Sequence, residues 1–545
     1  MAATGTLSAT DNPVALASGL AIFSGVSYAR ADDHLEGDIY LGATASTLNA
    51  NACSQYPVWI KRKFNSGLGY AVFNNNATGL SGASAASKQE SVGYQGMAVD
   101  SLGRIVLAGY SYILLPRSEA VLWRYFPDGT LDTSFNSQGY LVYQQGDIGT
   151  AGAPAVSKSD YFSALQIDSQ GRYVISGRSK NSAGGTEMVV WRFLATGAID
   201  TSFNSTGFVI FQPGGLGAAG HANDSNKYDS GTYLKIDSQG RYVIAGSSKN
   251  AAGGTELTIW RYTSDGAIDT SFNNTGYTLF QPGGTGAAGQ SNASKSDAPS
   301  SFEIDSQGRY VIGGSSKNSV GGREFVIWRY LSTGALDTSF NSQGYVIFQP
   351  GGLGAAGAAN DVQKAEYPYG MLIDSQSRIV IGGYSSTALH RLEAVIWRYL
   401  SDGTLDSSFG TGGVALFQHG GNGVAGKPDA GKWDQFFSIR LDSQGRYVLA
   451  GRSMNASGAS CAYELAILRY LEDGSLDTTF NGSGYYLHDH GGTTSTAGGP
   501  SKCDTGNGLL IDSQGRYLIA GYSTNASGGL DFTMWRVLPE GSADK

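Results

Sequence analysis

The chain has 545 residues, 79 of them glycine, only 15% charged, and its net charge of −8 is spread without blocks. Glycine at about twice its usual ~7% share is the composition of many short elements joined by turns. The absence of a basic tract argues against nucleic acid as a partner, and no apolar run reaches the ~18–20 residues of a membrane span.

Residues 1–57 stand apart from the rest, and Ala17–Tyr28 and Gly37–Gly42 read as strands of an N-terminal strap or assembly element. Met1 to Thr10 lacks the basic and apolar regions of a secretory signal. The polar, Ser/Asn/Gly-rich composition nevertheless leads to the expectation of an extracellular or cell-surface protein of bacterial type. Three cysteines, Cys53, Cys461 and Cys503, are spaced unlike a metal site and are too odd in number for a full disulfide framework. One bridge or three thiols both fit.

From residue 58 onward one phrase returns seven times: an Asp, a Ser/Gln/Gly turn, an Arg, a β-branched run and a Gly. Its aspartates are Asp100, Asp168, Asp237, Asp305, Asp374, Asp442 and Asp512, spaced by 68 to 70 residues. Such a period means one supersecondary unit copied in tandem. In the clearest copy, Phe302–Asp305 reads as strand A and Ser306–Arg309 as a hairpin turn. Strand B is then Tyr310–Gly314, strand C Glu324–Leu331 and strand D Gly344–Phe348. These are β-branched and aromatic runs bounded by turn residues, with no helical period. Four antiparallel strands in seven copies predict an all-β fold, a seven-bladed β-propeller over residues 58–545. Strand D follows only six of the seven A–B–C sets, and the missing one is found at Tyr70–Phe73, behind Phe64-Asn65. The last blade is therefore expected to close with an N-terminal strand, which removes a sheet edge.

The unit resembles the delta-60 repeat family of bacterial surface proteins. The likeness lies in the Asp-x-x-Gly-Arg, Trp-Arg-Tyr and Asp-Gly-x-Leu-Asp-x-Ser-Phe phrases, as in Asp100–Gly109, Trp123–Tyr125 and Asp128–Phe135. The resemblance implies a propeller within an exported protein and brings no catalytic motif.

Several repeated residues read as scaffold. Trp occupies one strand-C position in six blades (Trp123, Trp191, Trp260, Trp328, Trp397, Trp535) and suits packing between blades. The Arg that follows it meets an Asp eight residues on, from Arg124/Asp132 to Arg469/Asp477, which suits a brace across the C–D turn.

The A–B and C–D connections are compact and the D–A and B–C loops longer, so the D–A/B–C face is expected to hold the ligand. Two charge rings fall there. One is Lys88/Glu90, Lys158/Asp160, Lys227/Asp229, Lys295/Asp297, Lys364/Glu366, Lys432/Asp434 and Lys502/Asp504. The other is Glu119, Glu187, Glu256, Glu324, Glu393, Glu464 and Asp531. Inter-blade ion pairs or a ring of ion sites both fit this pattern. Calcium would need several converging oxygens, and no Asp-x-Asp-x-Asp-Gly loop is present, so no metal or cofactor is expected, with calcium at the ion ring as the weaker alternative. Trp433, Asp434, Tyr161, Tyr228, Tyr367 and Tyr369 are the candidate ligand contacts, since rim aromatics stack on sugar rings.

No Ser/His/Asp set, His-Glu metal motif or phosphate loop stands out, and the near-equivalence of the blades speaks against one specialised catalytic centre. The expectation is a non-catalytic adhesion module for a glycan or surface protein. Two alternatives stand beside it: a structural subunit of an extracellular fibre, self-associating through residues 1–57, and a carbohydrate-active enzyme at the channel mouth, where two nearby carboxylates would suffice.

Overall fold

The computed structural model describes residues 64–73, 89–114, 117–143, 159–181, 183–211, 228–250, 253–280, 296–317, 323–348, 366–386, 392–417, 433–454, 462–488, 502–524 and 529–544. Before residue 61 it gives only the backbone of short strands, such as Thr6–Ala9 paired with Val26–Arg30.

Each repeat is a four-stranded antiparallel meander. In blade 2, strand A is Asp160–Ile167, B Tyr173–Lys180, C Thr186–Phe193 and D Phe208–Ile210. Strands A of the other blades are Gln89–Val99, Asp229–Ile236, Asp297–Ile304, Glu366–Ile373, Asp434–Leu441 and Lys502–Ile511. Strand C of the seventh blade, Leu530–Val537, pairs with Tyr70–Val72 through Thr533↔Val72 and Trp535↔Tyr70. The protein is an all-β, seven-bladed propeller whose last blade is closed by an N-terminal strand.

Alternating side chains of a radial sheet face its two neighbours, so the hydrophobic core is divided among the interfaces. Among the described residues seven buried clusters occur, each joining consecutive blades. One brings Val106 and Leu122 of blade 1 against Leu165 and Trp191 of blade 2, and another brings Phe532 and Met534 of blade 7 against Leu107 and Trp123 of blade 1. All six strand-C tryptophans lie in these interfaces at no more than 1% exposure, which is the packing role their recurrence suggested. His488 of blade 6 packs on the closing blade, edge-on to Tyr70 and Trp535 at 5.8 and 6.0 Å.

The repeated polar residues form a clasp on the A–B/C–D face. In blade 3, Arg261 Nε donates to Asp269 Oδ2 at 2.7 Å while its Nη1 donates to the Ser332 carbonyl of blade 4. The guanidinium also covers the Phe272 ring at 4.6 Å. Asn273, left-handed at φ 51°, donates its N–H to the Thr333 carbonyl at 2.8 Å. The Arg therefore does more than brace its own turn, because it ties each blade to the next. At the closure the same parts come from distant sequence. Arg536 reaches Asp544 and the Pro127 carbonyl, lies over Phe64 at 4.6 Å, and Asn65 N–H donates to the Asp128 carbonyl at 2.6 Å.

Strand A is longer than the sequence pattern suggested, beginning at Asp297 rather than Phe302 in blade 4. Its first half alternates buried and half-buried residues, and the buried series opens with an acid such as Asp160 or Asp297, so no apolar alternation announced it. Tyr161, Tyr367 and Tyr369 accordingly stand on strands and not on D–A loops.

Candidate functional site

The glycine near the end of strand B shapes the channel mouth. A methyl group added at Gly177, Gly383 or Gly451 would lie 1.9–2.0 Å from the carbonyl oxygen of Tyr161, Tyr367 or Gln435 on strand A. Only glycine lets the two strands approach this closely. Opposite it strand A carries a bulge, with the register shifting between Phe162 and Ala164 in blade 2 and between Phe436 and Ser438 in blade 6. The bulge and the residue after the glycine are thereby turned toward the channel.

A cavity of about 450 Å³ opens there, lined from blades 1, 2, 3, 5, 6 and 7. Its wall includes Ser91, Tyr110, Tyr161, Arg178, Ser230, Tyr369, Tyr384, Gln435, Phe437, Arg452, Asn507 and Tyr522. The slot after the strand-B glycine differs between blades, holding Tyr110, Arg178, Ser247, Ser315, Tyr384, Arg452 and Tyr522 in chain order. Sequence reading passed over this slot although the signal was present: one register position, beside an invariable Gly, whose occupant changes from blade to blade.

Blades 5 and 6 supply an aromatic wall. Tyr384 stacks with Tyr367 at 4.7 Å and with Tyr369 at 5.5 Å, and Phe437 stands edge-on to Tyr369 at 5.3 Å. The Tyr384 hydroxyl donates to the Tyr369 hydroxyl at 3.4 Å. Beside them Arg452 Nε donates to Gln435 Oε1 at 2.8 Å and Nη1 to the Tyr522 hydroxyl at 3.3 Å, with its guanidinium 4.3 Å over Tyr463. In blade 2 Arg178 lies 4.5 Å over Tyr161 and donates to the Tyr228 hydroxyl at 3.2 Å. Tyr110 stands edge-on to Tyr161 at 5.1 Å. Burial raises the Tyr110 phenol above its ordinary pKa, and the Ser91 hydrogen bond and Arg178 only partly oppose this. A second cavity of about 290 Å³ lies beside the first and shares Tyr161 and Arg178 with it, adding Lys180, Thr186 and Tyr228.

The candidates read from sequence are thus distributed. Tyr161 and Tyr369 line the main cavity, Tyr367 backs Tyr384, and Tyr228 lines the side cavity. Trp433 is 37% exposed and lines neither cavity. The first acid ring is buried behind the channel wall: Asp160, Asp229, Asp297, Glu366 and Asp434 are all 0% exposed and Asp504 2%. Ser179, Ser316 and Ser453 hydroxyls donate to Asp160, Asp297 and Asp434 at 2.5–2.6 Å. Lys88, Lys158, Lys227, Lys295, Lys364 and Lys432 and the Lys502 side chain lie outside the described residues. Among the described residues no group of three or more His, Cys, Asp or Glu stands close enough to hold a metal, and no helix is long and apolar enough to cross a membrane. Cys503 is disulfide-bonded, so the bridge alternative holds for this cysteine.

The fold and the channel define a β-propeller built from a repeated scaffold with a non-repeated mouth. Seven segments match the family model described as "Domain of unknown function (DUF5122) beta-propeller": residues 103–135, 169–203, 238–272, 306–340, 377–409, 443–480 and 513–545. The first six segments run from the A–B turn to the Phe of the clasp and omit strand A and the D–A loop. The match therefore covers strands B and C and the C–D clasp, the slot after the strand-B glycine included. No curated protein matches the chain. Among solved structures the chain is similar to a polysaccharide lyase, the PL25 ulvan lyase, at 10% identity over 68% of this chain and 82% of that one, with a TM-score of 0.33. It is also similar to an endo-arabinase from Bacteroides thetaiotaomicron at 11% identity, covering 57% of this chain and 94% of that one, with a TM-score of 0.28. Trypanosoma rangeli sialidase matches at 10% identity over 88% and 58%, with a TM-score of 0.37. Likenesses at this level show the fold alone.

One expectation needs correction here. The chain was read as non-catalytic, and that expectation is withdrawn: the three solved structures it resembles are a lyase, an endo-arabinase and a sialidase, with no activity carried over to this chain. The physical premise fails as well. The blades are equivalent in the clasp but not in the channel, where Tyr, Arg and Ser alternate at one slot.

Proposed function

We propose that the channel mouth binds a saccharide, in a protein that works outside the cell. The observation that supports this best is the Tyr367/Tyr369/Tyr384/Phe437 wall beside a polar-lined cavity of about 450 Å³. Its size falls in the ~300–1,000 Å³ range of small-ligand sites. Aromatic faces suit the C–H faces of a sugar ring, while Ser91, Ser230, Gln435 and Asn507 offer hydrogen bonds to hydroxyls. The disulfide at Cys503 supports an oxidising compartment.

Calorimetric titration of an oligosaccharide panel into the wild type and Tyr384→Ala tests this. Binding by the wild type that weakens at least tenfold in the variant is the expected result. A panel with no binder, or a variant that binds equally well, would sink the reading. Product analysis of the same mixtures reports whether glycosidic bonds are cleaved.

A further inference from the structure

Resting on the saccharide reading, we infer that the ligand is an anionic oligosaccharide, with one negatively charged group held at Arg452 and another at Arg178 and Lys180. The chain carries a net charge of −8, yet among the described residues no Asp or Glu lines either cavity. The two walls present Arg178, Lys180 and Arg452.

The two guanidiniums are held by neutral groups. Arg452 is oriented by Gln435 and Tyr522, and Arg178 by Tyr228 and the Tyr161 face. These bonds fix each fork without using up its charge, and such a preset fork matches the oxygens of a carboxylate or sulfate. Beyond the bulge, strand A carries two cations and one acid at a single register position, Lys235, Arg440 and Glu303. Lys235 and Glu303 neutralise each other at 2.7 Å, whereas the Arg440 guanidinium donates to its neighbour Ile439 carbonyl at 2.8 Å. Desolvation lowers the Arg440 pKa, with the charge of Glu303 opposing it. A cleft lined by one sign of charge within low-dielectric walls concentrates its field on the ligand. The cavities share Tyr161 and Arg178, so a ligand of at least two sugar units would place a charge in each.

The test uses the full chain and four probes: tetragalacturonate, its methyl ester, a sulfated galactan tetrasaccharide and inorganic sulfate. Expected is binding of at least one charged tetrasaccharide ten or more times tighter than the uncharged ester, weakening as salt rises. Preference for tetragalacturonate assigns the group as carboxylate, and preference for the sulfated chain as sulfate ester. Arg452→Gln and Arg178→Gln should each bring the charged-to-uncharged ratio down at least fivefold, and Arg452→Lys less so. Unfolding curves verify that each variant is folded. Equal binding of charged and uncharged sugars, or ratios unmoved by both Gln variants, overturns the inference while leaving saccharide binding intact. If no sugar binds but saturable sulfate binding is lost in Arg452→Gln, the saccharide reading falls and the anion site stands. No binding of any probe overturns both.

Discussion

Replacing Gly129 with Ala should loosen the ring at its one non-covalent seam. Gly129 has φ +84°, and an added methyl would lie 2.6 Å from Phe64 Cε2. The left-handed backbone costs a non-glycine residue about 1–2 kcal/mol, and overpacking adds about 1–3 kcal/mol. Gly171→Ala isolates the first cost, since Gly171 has φ +76° with nothing within 4 Å. Gly334→Ala carries both, its methyl meeting Phe272 Cε2 at 2.9 Å, but Phe272 lies between consecutive strands of one blade. Phe64 instead belongs to the segment that pairs with the far end of the chain. The Gly129→Ala clash can be relieved by releasing residues 64–73, and only the overpacking part drives that opening. Hydrogen exchange at Ala71 and Val72 should therefore quicken by about 5–150-fold in Gly129→Ala, and much less in Gly334→Ala. Equal exchange at these amides in all three variants would refute the closure argument.

Other consequences can be measured together. Deleting residues 1–57 should leave the urea midpoint of the ring close to wild type, while deleting 1–73 should lower it markedly, because Tyr70–Val72 then no longer covers strand C of blade 7. Asp337→Asn should cost about 3–5 kcal/mol by urea unfolding, since it takes the carboxylate from Arg329, whose side chain is 3% exposed; a loss below 1 kcal/mol would count against the clasp. Burial by itself would raise the pKa of Asp200, Asp269, Asp337, Asp406 and Asp477, but donors from the residue two positions on and the clasp arginine outweigh it, so each is held below its ordinary 3.8. A depressed carboxylate contributes stability that is complete above its unfolded pKa and is lost as pH falls through the folded one. Urea midpoints should consequently hold between pH 7 and 5 and fall steeply below about pH 4; a midpoint unchanged down to pH 3 would contradict this.

The architecture was legible because each blade must satisfy the same two neighbours. Trp at one strand-C position, Arg and Asp eight apart, and Phe-Asn after the turn recur because every interface needs the same parts, and counting strand D exposed the closing ribbon at Tyr70. The mouth was harder to read. Rim aromatics were sought on the D–A loops, but strand A begins earlier than its apolar pattern shows, and Tyr161 and Tyr369 are channel-facing strand residues. Arg178, Tyr384 and Arg452 were missed because non-repeated residues were sought on the D–A loops, and these three stand on strand B. The acid ring attracted notice for its sevenfold repetition and lies buried behind the wall.

Repetition and function thus separate by face for a physical reason. A closed ring tolerates little variation where blades lock, since a misfit at one clasp strains the whole circle. The slot after the strand-B glycine lies beside the open channel and outside the clasp that locks the blades, and it holds Tyr, Arg or Ser in different blades. Those positions are free to differ from blade to blade, and a ligand without sevenfold symmetry requires that they do. Arg178 and Arg452 stand in blades 2 and 6, the tyrosine wall in blade 5, and serines hold the same slot in blades 3 and 4. A ligand bound in such a mouth has one preferred orientation, fixed by which blades carry charge and which carry rings.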